Sequence, residues 1–235
     1  MTRERPDAIR VWPLSFHEKL IQSQQTEAGL VHPTAQEVKQ MASAAKKATQ
    51  DVAPHWHAQA KEIQQFGTVI QDMPHYLSAG VRGQMCEQLN ILLADTICLR
   101  DMYKKHHWQV SGPTFYQLHL LFDKHYEEQA ELADSIGERI QLLGGISVAM
   151  GGDVAKLTEI PAPPMGREEV PVQISRLLEG HKIIMKKCKE IADAADDAGD
   201  DGTNDLAISD ILRPNEVQSW FIGQHLVEMP LILNK

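Results

Sequence analysis

Apolar side chains recur at steps of three and four along four long stretches of this chain. In residues 85–108 they are Leu89, Leu92, Leu93, Ile97, Leu99 and Tyr103. In residues 115–143 they are Phe115, Leu118, Leu121, Phe122, Leu132, Ile136, Ile140 and Leu143. In residues 167–198 the stripe is Ile174, Leu177, Leu178, His181, Ile184, Met185, Cys188 and Ile191. That period is one face of an α-helix, with the intervening polar positions turned to water. Asp95 and Arg100 interrupt the first stretch and are expected at its edges. A fourth helix is expected from about Asp201 or Thr203, with Trp220 and Phe221 resuming its core stripe.

Breakers separate the stretches. Ser111-Gly112-Pro113 makes a turn, and Pro113 suits the first turn of the second helix, where its missing N–H costs nothing. Gly144-Gly145 ends that helix with a C-cap, and a Gly- and Pro-rich connection runs on to residue 166. Within it, VAKLTEI is a candidate short helix. Pro171 falls in the first turn of the third helix, and Gly199 ends it. Pro214 lies inside the fourth and should kink or interrupt it. The expectation is an all-α four-helix bundle with one long crossover between its second and third helices.

The bundle is expected over residues 81–235, and residues 1–80 form an extension with a weaker pattern. Thr34 is a plausible N-cap for AQEVKQMASAAKKATQDV, whose apolar positions are mostly Ala. The extension holds eight Lys/Arg and eight Asp/Glu, so the net charge of −9 belongs to the remaining 15 Lys/Arg and 24 Asp/Glu. An acidic body repels nucleic-acid phosphates and attracts cations. No apolar run reaches the ~20 residues that span a bilayer, and the first residues lack the apolar segment of a secretory signal. A cytoplasmic protein is therefore expected, with no membrane partner. Cys86, Cys98 and Cys188 are three and widely spaced, which speaks for buried thiols rather than a disulfide framework.

Candidate chemistry lies on the second helix. His119 and Asp123 are four apart and share a face, as do Asp134 and Glu138. His107, before the turn, can fold back near His119. Imidazoles and carboxylates together suit iron, manganese or zinc. Asp123 and Asp134 lie roughly 16 Å apart along one helix, and His119 and Glu138 roughly 28 Å. Metal–ligand bonds are about 2 Å, so one straight helix cannot close both pairs on one ion. Two copies packed antiparallel and crossing near residue 128 can. His107, His119 and Asp123 of one subunit would then meet Asp134 and Glu138 of its neighbour, twice per dimer.

The run HHWQVSGPTFYQLHLLFD, with ADSIGERIQLLGG after it, resembles the signature of the Dps proteins, the miniferritins that protect DNA during starvation. The likeness covers roughly residues 83–225. It implies a ferritin-like four-helix bundle assembled into a hollow dodecamer, a homo-oligomer that oxidises Fe(II) with hydrogen peroxide or oxygen and stores ferric mineral. It makes His107, His119 and Asp123 one half of an intersubunit ferroxidase site, completed by Asp134 and Glu138. Trp108 matches the family's aromatic beside the iron, as an electron donor or radical trap, although packing alone would explain a Trp there. His106 has no ligand counterpart and is expected exposed. His125, Glu127 and Glu128 lie beside the crossing, where Glu127 could assist a second iron or serve a solvated interface.

Other features keep two readings each. Asp196, Asp200, Asp201 and Asp205 straddle the third and fourth helices, and carboxylates there can cap a helix N-terminus. The resemblance makes Asp196, Asp201 and Asp205 the lining of a three-fold pore for Fe(II). His55 and His57, with His32 or His75, could hold zinc in the extension or simply be solvated. Two residues apart do not share a helix face, so such a site needs a loop. The extension has no basic cluster beyond Arg3, Arg5 and Arg10, so strong DNA binding is not expected. The competing function is a nucleoid-associated cage whose iron chemistry is secondary.

Overall fold

The computed structural model describes residues 34–37, 39–40 and 60–227. The chain divides into two compact units, Met1–Ala60 and Lys61–Lys235. In the first, Thr34 starts a helical turn as expected. Its backbone N–H donates to Glu37 Oε2 at 2.7 Å, and the Glu37 N–H to Thr34 Oγ1 at 3.4 Å. That reciprocal pair is a capping box.

The second unit is all-helical among its described residues. Helix α1 is Ala79–Gln109, α2 is Phe115–Leu142, and α3 is the short Gly151–Leu157 of the crossover. Helix α4 is Val170–Ala198, with Pro171 in its first turn. The fourth bundle helix is composite. It runs through α5 (Asp201–Asp205), a π-helical turn (Leu206–Leu212), α6 (Arg213–Gly223) and a closing 3₁₀ turn (Gln224–Leu226). Helix α1 packs on α2 and α4, and α4 packs on the composite helix. Leu89, Leu92, Leu118, Phe122, Ile136, Ile140, Leu177, Ile184 and Ile191 are fully buried between them. Each contributes roughly 1.5–3 kcal/mol relative to exposure.

Gly144 ends α2 as expected. At φ 79° it lies in the left-handed region, and the Gly145 N–H returns to the Ile140 carbonyl at 2.9 Å. The position is also boxed in, because a Cβ there would sit 2.6 Å from Met73 Sδ. Residues 61–78 lie against this corner. Buried Arg82 donates to the Leu143 carbonyl at 2.8 Å and to the Ile70 carbonyl at 2.9 Å. The Ile70 N–H and Gln64 Nε2 both donate to the Gly144 carbonyl at 2.9 Å. Residues grouped by pattern with the extension thus hydrogen-bond to the end of α2.

Asp95 is not at a helix edge but fully buried. Its Oδ1 accepts from Thr158 Oγ1 at 2.7 Å and from the Glu159 N–H at 2.6 Å. It ties the crossover to α1, and burial raises its pKa. Cys86 and Cys188 are buried and Cys98 half-buried, all three as free thiols.

Pro214 interrupts the fourth helix in a specific way. A proline inside an α-helix removes one bond and meets the carbonyl four residues back. The π turn widens the coil just before Pro214 and gives the ring room. Its extra residue rotates the remainder of the helix by about 100°. Buried Leu206 and Ile211 are five apart, and then Ile211, Asn215, Gln218 and Ile222 continue inward at steps of four, three and four. Trp220 and Phe221 therefore face outward, 63% and 46% exposed, instead of resuming the core stripe.

Candidate metal centre

The turn between α1 and α2 brings His107 and His119 face to face. Their rings stack with centroids 3.8 Å apart, and Phe115 stacks on His119 at 5.0 Å. The hydrogen bonds are reciprocal. His107 Nδ1 bonds the His119 carbonyl at 2.7 Å, and His119 Nδ1 bonds the His107 carbonyl at 3.0 Å. Helix ends explain half of this, because the His107 carbonyl lies in the last turn of α1 and lacks a helical partner. A carbonyl only accepts, so each Nδ1 carries the proton and each Nε2 presents a lone pair. Metal-binding histidines are commonly oriented by such a bond on the other nitrogen.

Asp123 lies one turn after His119, with Oδ1 3.9 Å from His107 Nδ1. The Lys104 ammonium forms an ion pair with the same oxygen and sits 4.0 Å over the Tyr126 ring. Its hydrogen bond, more than the nearby imidazoles, holds the Asp123 carboxyl below the usual carboxylate range. Asp134 and Glu138 are exposed farther along α2, and Trp108 is 71% exposed. Among the described residues of one chain, no three His, Cys, Asp or Glu side chains close on a point that could hold a metal ion. The chain thus presents two imidazoles and a lysine-paired carboxylate at one end of α2, and two free carboxylates toward the other.

Two histidines turn into the core, one of them against expectation. His106 is fully buried rather than exposed, because it continues the inward series Leu99, Met102, Tyr103. Both its ring nitrogens lack partners, and burial lowers its pKa to about 4. His125, placed beside the crossing by its sequence position, is 1% exposed and turns into the core.

There it joins a polar network that sequence reasoning missed. Tyr103 Oη lies 2.5 Å from His181 Nε2 and 3.1 Å from His125 Nδ1. His181 Nδ1 lies 2.7 Å from Asn215 Oδ1. Gln129 Nε2 donates to Asn215 Oδ1 at 3.1 Å and to Gln218 Oε1 at 2.9 Å. Burial lowers the His125 pKa to about 4 and that of His181 to about 3, so both rings are neutral. A signal was present. The apolar stripe of α2 skips from Phe122 to Leu132, and His125 and Gln129 fill the gap.

The acidic cluster separates by burial. Asp200 is buried and caps α5, accepting from the Thr203 N–H at 3.0 Å and pairing with Arg139 at 2.5 Å. Asp196, Asp201 and Asp205 are exposed. His32, His55 and His57 lie outside the described residues. His75 stacks on Tyr76, and its Nδ1 accepts from the Leu77 N–H at 3.1 Å.

A family model described as a ferritin-like domain matches residues 86–232. The solved structure of DpsC from Streptomyces coelicolor is 51% identical, covers 74% of this chain and 100% of its own, and superposes with a TM-score of 0.72. A nutrient stress-induced DNA-binding protein of Nostoc is 32% identical over 73% of this chain and 92% of its own length. DNA protection during starvation protein 1 of Deinococcus radiodurans is 30% identical over 64% of this chain and 72% of its own. No helix among the described residues is long and apolar enough to cross a membrane.

Proposed function

We propose, from the premise that this chain belongs to the ferritin-like family and within it to the Dps miniferritins, that it is a ferroxidase acting at sites shared between subunits. The observation that carries this reading is the reciprocal His107–His119 pair, which fixes both tautomers and leaves both Nε2 lone pairs for Fe(II). Asp123 adds a carboxylate beside the pair, its Oδ1 3.9 Å from His107 Nδ1. Asp134 and Glu138 of an antiparallel neighbour complete the set, because their own chain offers them no imidazole.

Fe(II) is the substrate. Hard carboxylates favour Fe(III) over Fe(II), so three of them lower the cost of electron loss. Two ferrous ions held together supply both electrons that hydrogen peroxide needs, which avoids releasing a hydroxyl radical. Oxygen is the alternative oxidant. Ferric product then collects as mineral inside a hollow dodecamer, and removing iron and peroxide together protects DNA. Exposed Asp196, Asp201 and Asp205 suit an entry pore for a cation. Trp108, the sequence neighbour of His107, would donate or trap an electron. A net charge of −9 disfavours DNA as a strong partner at physiological salt.

The test is anaerobic loading with Fe(II), then ferric absorbance after addition of peroxide or oxygen, in the natural chain and in His107→Ala. Rapid oxidation in the first and little in the second is expected. Equal rates would overturn the assignment.

A further inference from the structure

The bundle core holds a tyrosine whose hydroxyl lies between two buried imidazoles. Tyr103 is completely buried, and burial raises its pKa well above that of a free phenol. It does not ionise by itself at any ordinary pH. Its surroundings nevertheless fix where its proton would go. Asn215 Nδ2 donates to the Ile211 carbonyl at 2.7 Å, so Asn215 Oδ1 faces His181. His181 Nδ1 must then carry the proton it donates to that oxygen, which leaves Nε2 as an acceptor. The Tyr103 hydroxyl donates to this Nε2 at 2.5 Å. His125 Nδ1 approaches the same phenolic oxygen at 3.1 Å.

The position relative to the candidate centre is equally specific. Tyr103 precedes His107 by four residues on α1, one turn or about 6 Å along the axis. Its ring packs on Phe122 with centroids 5.9 Å apart, and Phe122 is the neighbour of Asp123 in sequence. A core tyrosine needing only a structural partner would be satisfied by one hydrogen bond. This one has an aligned base, a second imidazole and an aromatic contact toward the iron-binding face.

The geometry points to Tyr103 and His181 as a reversible electron and proton relay that supplies the second electron when peroxide meets a site holding a single Fe(II). This rests on the ferroxidase reading. Hydrogen peroxide takes up two electrons and two solvent protons, its O–O bond breaks, and it leaves as two waters. One electron comes from Fe(II), which becomes Fe(III). The other comes from Tyr103, whose O–H bond breaks as an N–H bond forms at His181 Nε2. The phenoxyl oxygen is then left facing two N–H groups. A second Fe(II) returns one electron to the phenoxyl radical and the proton goes back from His181. The low basicity of buried His181 makes the charged state short-lived and drives that return.

The experiment adds peroxide to protein holding one Fe(II) per site, with freeze-quenched electron paramagnetic resonance and a spin trap for hydroxyl radical. The natural chain should give a tyrosyl signal that narrows when ring-deuterated tyrosine is incorporated. It should decay on addition of more Fe(II). Tyr103→Phe should lose the signal and trap more hydroxyl radical, while Tyr76, Tyr116 and Tyr126 remain in place. Isotope labelling of the natural chain keeps the question open to refutation if the Phe variant folds poorly. Normal ferrous oxidation with no tyrosyl signal would overturn the relay and leave the ferroxidase standing. Absence of ferrous oxidation in the natural chain would overturn both.

Discussion

Two histidine-bearing regions of this molecule use the same side chains to opposite ends. At the α1–α2 turn, His107 and His119 each spend one ring nitrogen on a backbone carbonyl and hold the other in reserve. In the core, His181 spends both, one on Tyr103 and one on Asn215. The first region is half-exposed and unfinished; the second is sealed and nearly self-sufficient. On the ferroxidase reading, that unfinished end is completed from outside, by a metal and a neighbour's carboxylates. A satisfied network specifies how four helices meet. Loss of a residue should therefore cost ferrous binding and turnover in the first region, and stability in the second, with the Tyr103–His181 relay as its added redox role.

The largest effect expected from that contrast is on turnover. His119→Ala should abolish Fe(II) oxidation while lowering stability by only about 1 kcal/mol, the worth of an ordinary hydrogen bond. Glu138→Ala should do the same from the far end of α2. Mixed assemblies of the two variant chains should regain activity, because a dimer combining them rebuilds one of its two sites. Absence of rescue in mixed assemblies would show that the two ends do not meet across an interface.

Conversely, His181→Leu should cost roughly 2–4 kcal/mol in chemical denaturation, because it takes the acceptor from the buried Tyr103 O–H and leaves Asn215 Oδ1 with Gln129 alone. Ferrous binding at the turn should survive in whatever fraction stays folded. If the Leu chain were as stable as the natural one, the network would not be what specifies the packing.

The bundle was readable because three of its stripes keep a helical period on either side of their gaps and their ends carry Gly and Pro. The five residues of the candidate centre could be proposed because ligand types recur at a spacing that two antiparallel helices can use. Three things were not. The π turn was hidden because Pro214 signals a disturbance but not its form, and that form decides whether Trp220 or Gln218 faces inward. The burial of His106 and His125 was hidden because a histidine on an apolar stripe looks the same whether it closes a core or borders a surface. The pairing of Lys104 with Asp123 was hidden because the two lie on different helices, nineteen residues apart.

A pH series sharpens the core side of the contrast. His181 titrates near 6.5 when unfolded and at about 3 when folded. Between those values the unfolded chain binds more protons, so acid favours unfolding. The stabilisation is complete above pH 6.5 and drains away as the pH falls toward 3. Its slope approaches ~1.4 kcal/mol per pH unit. His181→Gln does not titrate, so its denaturation midpoint should change less between about pH 7 and about pH 5 than that of the natural chain. Parallel curves would mean that His181 takes up its proton in the folded state without cost.

The smallest effect concerns Lys104, where the two regions nearly touch. Its ammonium neutralises Asp123 and rests on Tyr126, so in the absence of metal it keeps a ligand from repelling its surroundings. The same charge opposes an incoming cation. Lys104→Met removes a partly exposed ion pair and a cation–π contact, which together hold the fold by about 1 kcal/mol or less. It also frees the Asp123 carboxylate, whose pKa should rise toward the ordinary range once its strongest partner is gone. At neutral pH the carboxylate stays ionised, so anaerobic Fe(II) binding should tighten, by several-fold or about 1 kcal/mol. Weaker binding would mean that Lys104 shapes the site by holding Asp123 in place, and that the open end of the molecule is more finished than its free imidazole nitrogens suggest.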